Sequence, residues 1–299
     1  VNPLDPPVIT IDPQTCKRDG LCARLCPVGV FTAPAGQVPA VAHTEECVLC
    51  GQCLAGCPQN AIQHSGFEPA SVESVNPQVP LTPQTAYALL SQRRSVRNYK
   101  KEVPTHELLE TVIAAASCAP GSPHHRIGWE RRFIVVSGQE KMQKVCAITA
   151  EYVQQTYDLI NSFVVRLAAR FDDSARSALA VAPDLAMRLE AYRAGQDKLT
   201  YNAPAAVFAI APLVSSTPQV DCDAALYAVL LMAQAYGLGS CWNGLLQGAA
   251  CGDHLRGFTR LSEFLSIPAG YKCYAAATFG YPQIHVQRVV KRAVDIQWV

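Results

Sequence analysis

The sequence predicts an α+β fold, a few-stranded sheet flanked by helices, preceded by a small module held together by cysteine chemistry. Three observations carry this expectation. Seven of the thirteen cysteines fall between Cys16 and Cys57. Helical spacing of apolar residues dominates from residue 81 onward. Only three short apolar runs in that region read as buried strands, at 132–136, 205–211 and 272–279. At 299 residues the chain exceeds the usual single-domain size, so the boundaries expected are a cysteine module over 1–67, a linker over 68–80 and a larger domain over 81–299.

Composition excludes several classes. Twenty-five Lys and Arg residues almost balance 24 Asp and Glu, which disfavours a polyanionic partner such as nucleic acid. No apolar run approaches the roughly 18 residues that a membrane span needs. The stretch 1–13 is rich in Pro and Asp and lacks a secretory apolar region, so a cytoplasmic protein is expected. An odd cysteine count at metal-ligand spacing argues for a reducing compartment over disulfides. Cys118, Cys146, Cys222, Cys241, Cys251 and Cys273 lie among apolar residues and are expected to act as small buried hydrophobes.

The elements follow in order. Residues 1–67 are turn-rich, without a helical stripe longer than two turns, so metal rather than apolar burial must hold them. They contain a duplication: CKRDGLCARLCPVGVF, from Cys16, is echoed about thirty residues later by CVLCGQCLAGCPQNAI, from Cys47. The stretch EPASVESVNPQVPLTP has linker composition. Thr82-Pro83 opens a helix ending near Arg93, and Thr105 caps a second with Leu108, Leu109, Val112, Ile113 and Ala116 at helical spacing. A longer helix is expected over 141–171 and another over 222–236, closed by Gly237 and Gly239. No GxGxxG fingerprint joins a strand to a helix, which argues against a dinucleotide-binding sheet.

Cys47, Cys50, Cys53 and Cys57-Pro58 spell the complete C-x2-C-x2-C-x3-C-P run, the spacing at which thiolates surround an iron–sulfur cubane while the fourth cysteine serves another cluster. Zinc is the alternative, disfavoured by the proline and the duplicated copy. In the first copy Cys16, Cys22 and Cys26-Pro27 are in register, but Asp19 stands where the second cysteine should be. The module resembles two-cluster (2x 4Fe-4S) ferredoxins. That resemblance implies one 4Fe-4S cluster on Cys47, Cys50, Cys53 and Cys26, and a second on Cys16, Cys22 and Cys57 with position 19. A carboxylate is a harder ligand than thiolate. The second site is therefore 4Fe-4S with Asp or water, or 3Fe-4S, unless Asp19 is a bystander.

Arg93-Arg94-Ser95-Val96-Arg97-Asn98-Tyr99 gathers three arginines and a hydroxyl at a helix end, which suits a phosphomonoester; a solvated basic face is the alternative. SQRRSVRNYKKEVP resembles the RRSxRxF opening motif of the nitroreductase family. AAASCAPGS (114–122) is similar to that family's helix and APSG-like turn, and GLGSCWNG (237–244) to its GLGxCWxG signature. Lys291-Arg292 follows a Phe-Gly-Tyr-Pro turn in the family's order.

The resemblance covers 81–299 and implies an FMN domain. Arg93, Arg94, Ser95, Arg97, Lys291 and Arg292 would bind the FMN phosphate and ribityl chain. The turn at Pro120, Gly121 and Ser122 would lie against the isoalloxazine of the neighbouring subunit, and Trp242, Asn243 and Gly244 near its reactive edge, which implies a homodimer. In the same turn Pro123-His124-His125-Arg126 departs from the family's Asn-Gln-Pro. His124 is then the one candidate for a flavin hydrogen bond or a proton donor, or else part of a solvated loop. Cys241 has no paired base in the sequence and is expected to pack.

Clusters pass single electrons and most organic reductions need two, which a flavin connects. The expected function is therefore transfer from an external low-potential donor, ferredoxin-like or NAD(P)H, through two clusters to FMN and on to a small acceptor. Nitro compounds, quinones and activated alkenes fit. Two other readings stand beside it: an NAD(P)H-oxidising flavoprotein that exports single electrons, and a non-catalytic redox carrier or sensor. No catalytic residue is demanded by the sequence.

Overall fold

The computed structural model describes residues 5–76, 78–121, 130–252 and 257–299. The chain divides into two compact units, one made largely of Val1–Pro80, the other of Leu81–Pro120, Arg131–Leu213 and Thr217–Val299.

In the first unit, strand β1 (Ile9–Ile11) pairs antiparallel with β4 (Ile62–His64), and β2 (Phe31–Thr32) with β3 (Ala40–Val41). Two five-residue helices, α1 (Leu21–Leu25) and α2 (Gln52–Gly56), pack on each other. Among the described residues the buried apolar cluster is small: Ile9, Cys22, Val30, Phe31, Cys53 and Ile62. So few apolar side chains bury little area, and two of them are themselves cysteines, as expected of a module that metal must complete.

The second unit is built on an antiparallel four-stranded sheet in the order β5-β6-β8-β7. Its strands are β5 (Arg132–Ser137), β6 (Ala205–Pro212), β7 (Gly239–Trp242) and β8 (Tyr271–Gly280). Every residue of β6 is buried, and period-two alternation sends Ala206, Phe208 and Ile210 to one core and Ala205, Val207, Ala209 and Ala211 to the other. The first core is closed by α5 (Gln139–Ile160), α7 (Asp173–Arg193), α9 (Gly244–Cys251) and α10 (Arg260–Phe264), the second by α4 (His106–Ala114) and α8 (Pro218–Ala235). A register shift opposite Ala209 and Ile210 leaves Tyr274 of β8 unmatched. Cys273 and Ala276, three apart, therefore face the same core, as a β-bulge allows.

Helix α3 (Pro83–Gln92) starts where the sequence predicts it. Thr82 accepts from the Thr85 N–H at 3.1 Å and Thr85 returns a bond to the Thr82 N–H at 3.1 Å. The helix expected over 141–171 is instead two: α5 ends at Ile160, and Ser162 caps α6 (Phe163–Ala168), its Oγ accepting from Val165 N at 3.4 Å. Asn161 and Ser162 offer the backbone side-chain partners that compete with helix continuation. Helix α7, capped by Asp172, and strand β7 were not expected. Among the described residues no helix is long and apolar enough to cross a membrane.

Candidate functional site

The duplication is one of backbone as well as sequence. Arg18 and Leu49 take positive φ of 59° and 54°, and Gly20 and Gly51, two residues on, take 67° and 71°. Asp19 therefore occupies the conformational place of Cys50. Its Oδ1 accepts from Leu21 N at 3.1 Å, and it lines the same small cavity as Cys16, Cys22 and Cys57.

The sulfurs are met by N–H donors. Arg18 N reaches Cys16 Sγ at 3.4 Å, Val30 N reaches Cys26 Sγ at 3.3 Å and Ala61 N reaches Cys57 Sγ at 3.3 Å. The buried His64 brings Nε2 to 3.4 Å from Cys47 Sγ. Donors so placed suit thiolates and cluster ligands. Burial pushes the Cys53 thiol up to about 11, with Cys47 and Cys50 adding to the rise. Burial likewise raises Cys22, with Cys16 and Cys57 adding. Bound iron offsets such a penalty by holding the deprotonated form. Cys16, Cys22 and Cys57 line one small cavity, and Cys53 lies within electrostatic reach of Cys47 and Cys50. No three Cys, His, Asp or Glu side chains among the described residues converge as a single metal ion requires, whereas a cubane spreads its ligands over several irons. A set of cysteine sulfurs met by N–H donors fits iron–sulfur clusters.

In the second unit the Arg93–Tyr99 segment leaves α3 extended and is stitched to two strands. Ser95 forms a parallel bridge with Ser240 and Val96 N donates to Ser240 O at 2.9 Å. Further on, Tyr99 bridges to Pro282, and its hydroxyl meets Thr278 Oγ1 at 2.9 Å. An extended segment alternates its side chains, and this divides the predicted phosphate ligands. Arg93, Ser95 and Arg97 gather about Cys241, whose thiol is raised by burial while Arg97, Ser95, Arg93 and Arg188 pull it down. Arg94 and Val96 face a different cavity, of about 400 Å³, with Gly237, Gly239, His285 and Arg288. There Arg94 Nη1 donates to its neighbour's carbonyl, Arg93 O, at 3.0 Å.

The cationic face has members that the sequence did not reveal. Arg97 lies 5.7 Å over the Tyr201 ring. Arg188, on α7, donates to the Tyr201 hydroxyl at 3.2 Å and to Lys198 O at 2.7 Å. Tyr201 and Asn202 both take positive φ, 61° and 52°, in a loop organised by Asp197. The Asp197 carboxylate accepts from the N–H groups of Leu199 (2.8 Å), Thr200 (2.7 Å) and Asn202 (2.7 Å), and from the Thr200 hydroxyl. Burial works to raise its pKa, but these bonds hold it below the ordinary carboxylate value.

The remaining predicted positions are placed as follows. Trp242 is half-buried at the end of β7 and Gly244 is exposed at the start of α9. The amide of Asn243 is engaged internally: Oδ1 accepts from Leu245 N and Leu246 N, both at 3.1 Å, and Nδ2 donates to Leu199 O at 2.8 Å. Asn243 thereby ties the start of α9 to the Asp197 loop. Pro120 O accepts from Arg131 Nη1 at 2.9 Å, and the same nitrogen reaches Asp221 O at 3.0 Å; Gly121 follows, half-buried. Ser122 and His124 lie outside the described residues. Lys291 is exposed, 5.0 Å over the Tyr87 ring of α3, and Arg292 is exposed. Of the cysteines expected to be buried, Cys146, Cys222, Cys241 and Cys273 are, Cys251 is half-buried and Cys118 is exposed. Cys118 ends the turn of helix after α4, on the side away from the Leu109–Val112–Ala116 stripe that the core takes.

Two family patterns match: the nitroreductase family over residues 90–281 and a 4Fe-4S dicluster domain over residues 8–58. Many solved structures share the fold, three of them as follows. A nitroreductase with bound FMN from Desulfitobacterium hafniense is 24% identical, with a TM-score of 0.51 over 73% of this chain and 100% of that one. One from Bacteroides fragilis, also with bound FMN, is 19% identical, with a TM-score of 0.50 over 71% and 96%. An FMN-dependent nitroreductase from Clostridium difficile is 19% identical, with a TM-score of 0.51 over 73% and 99%. Comparison with curated proteins gives no match. Fold and site together define an α+β oxidoreductase domain preceded by an iron–sulfur module. The chain belongs to the nitroreductase family.

Proposed function

We propose that this oxidoreductase draws single electrons from an external low-potential donor through two iron–sulfur clusters to FMN, and reduces a small electron-poor acceptor such as a nitro compound, quinone or activated alkene. The observation that carries this reading is the pairing of sulfurs served by N–H donors with a separate cationic face of Arg93, Ser95, Arg97 and Arg188. When bound, a flavin exchanges one or two electrons and so connects cluster chemistry to organic reduction.

On this reading Cys26, Cys47, Cys50 and Cys53 hold one 4Fe-4S cluster. Cys16, Cys22 and Cys57 hold the other with Asp19, as 4Fe-4S or 3Fe-4S. Arg93 and Arg97 set fixed positive charge for a phosphomonoester, Arg188, ion-paired with Asp184, braces Tyr201, Ser95 supplies a hydroxyl, and Lys291 and Arg292 add charge. Arg131 holds the Pro120 turn in place for the flavin of a second subunit, in a homodimer. A cavity of about 610 Å³ lies between α5, α6 and α7, lined by Val153, Ile160 and Leu185 with Tyr152 and Thr156, and reaches Gly244 and Leu245. Its size and apolar lining suit a small organic acceptor. The thiolate ligands suit the reducing cytoplasm.

The test is anaerobic iron, sulfide and flavin analysis, followed by turnover assays with reduced viologen, NADH and NADPH. About eight irons and one FMN per chain, with viologen-driven acceptor reduction, support the reading; absence of FMN overturns it. Reduction of viologen by a nicotinamide would reverse the direction of flow. Loaded protein that turns over with no acceptor would be a carrier or sensor instead.

A further inference from the structure

We propose that His64 sets the reduction potential of one cluster alone: its Nε2–H donates to Cys47 Sγ and raises the potential of the cluster that Cys47 holds. The inference rests on the ligand assignment above, and its test separates the two.

The geometry fixes which nitrogen carries the proton. Gly66 N donates to His64 Nδ1 at 3.0 Å, so Nδ1 is an acceptor and the single proton of a neutral imidazole lies on Nε2. That nitrogen is 3.4 Å from Cys47 Sγ. The ring is only 6% exposed and is held edge-on by Phe67, with centroids 5.1 Å apart. Gly66 is pressed against it: a Cβ there would lie 3.0 Å from His64 Cε1 and 2.7 Å from Leu49 Cδ2. A side chain so confined is oriented before the cluster is in place.

Reduction adds negative charge to a cluster and its sulfurs. A donor aimed at a ligand sulfur therefore stabilises the reduced form more than the oxidised form and raises the potential. The donors to Cys26 and Cys57, Val30 N and Ala61 N, are main-chain N–H groups that recur across the duplication, and Cys16 is served by the main-chain Arg18 N. The imidazole does not recur. Thirty-one positions before His64, in the first copy, stands Ala33, whose Cβ lies 3.5 Å from where Gly20 would carry one. Methyl groups donate nothing, so the imidazole acts on the cluster of Cys47 alone.

The experiment is an EPR-monitored redox titration of the full chain and its His64→Phe and His64→Gln variants. His64→Phe should move one cluster to lower potential, leaving it about tenfold more oxidised at the wild-type midpoint, equivalent to about 59 mV for a one-electron couple. The other cluster should not move, and His64→Gln, which keeps an N–H donor, should recover part of the shift. Equal shifts in both clusters, or none, would overturn the proposal. In wild-type protein labelled with 15N-histidine, pulsed EPR of the reduced cluster should show coupling to nitrogen; its absence also overturns it, without any substitution. Wild-type protein with no 4Fe-4S signal would instead sink the ligand assignment itself.

Discussion

Gly239 and Val96 approach so closely that a Cβ on residue 239 would lie 2.8 Å from Val96 Cγ2 and 2.9 Å from Val96 Cβ. The glycine lets the Arg93–Arg97 segment lie against β7, where Val96 N reaches Ser240 O at 2.9 Å, and this fixes which side chains turn toward Cys241. Gly239→Ala should cost about 1–3 kcal/mol by overpacking and lower the flavin content of purified protein. Adding Val96→Gly, which removes the Cβ as well as both methyl groups, should recover part of both. Thermal unfolding and the flavin-to-protein absorbance ratio read the two effects, and a double variant no better than Gly239→Ala would refute the steric account.

Side-chain alternation makes unequal predictions for three arginines that the sequence treats alike. Loss of a charge-assisted hydrogen bond costs about 1.5–3 kcal/mol, or roughly tenfold to a hundredfold in affinity. Arg93→Ala and Arg97→Ala should weaken FMN binding by about that much. Arg94→Ala, facing the cavity with His285 and Arg288, should change it by less than about threefold. Fluorescence titration of apoprotein with FMN measures all three, and an Arg94 effect as large as the others would mean that the segment turns on binding.

What was legible in the sequence and what was not divide along physical lines. The β6 run AAVFAIA reads as a buried strand because it is apolar on both faces, and Thr82-Pro83 announces α3 through residue types that cap helices. The strand GSCW of β7 gives no such signal: its glycine is required by Val96, a contact invisible along the chain. Helix α7 carries an internal proline, Pro183, and a weak apolar stripe. Missing it also concealed Arg188, which the fold places beside Tyr201 while it pairs with Asp184. The cysteines and Arg93–Arg97 were visible because spacing and charge are properties of sequence. Asp197 and Arg131 were not, because their roles depend on backbone groups brought to them by folding.

Asp19 has the backbone of a ligand position and lines the Cys16–Cys22–Cys57 cavity. Asp19→Cys should complete a thiolate set and give an oxygen-resistant 4Fe-4S site, because thiolate is the softer ligand for iron. Asp19→Ala should favour 3Fe-4S and about seven irons per chain. Iron analysis with EPR after brief exposure to air distinguishes them. Identical iron content and oxygen sensitivity in all three forms would make Asp19 a turn residue whose bond to Leu21 N is its whole role.

Asp197 links acid stability to the cationic face. Its carboxylate is held below the ordinary value, so the folded state binds its proton less readily than the unfolded chain does. The stabilisation is complete at neutral pH and is lost as pH falls through the ordinary carboxylate range toward the folded pKa. Asp197→Asn replaces one accepting oxygen by a donor facing the Leu199, Thr200 and Asn202 donors. Leaving buried donors unpaired should cost about 2–4 kcal/mol at pH 7. Denaturant unfolding should show that gap narrowing toward pH 3, since the parent protein loses at low pH what the variant never had. Because Asp197 holds the turn that presents Tyr201 beneath Arg97 and receives Asn243 at Leu199 O, the variant should also bind FMN more weakly. A variant that loses stability without losing flavin affinity would show that Arg97 holds its position without Tyr201.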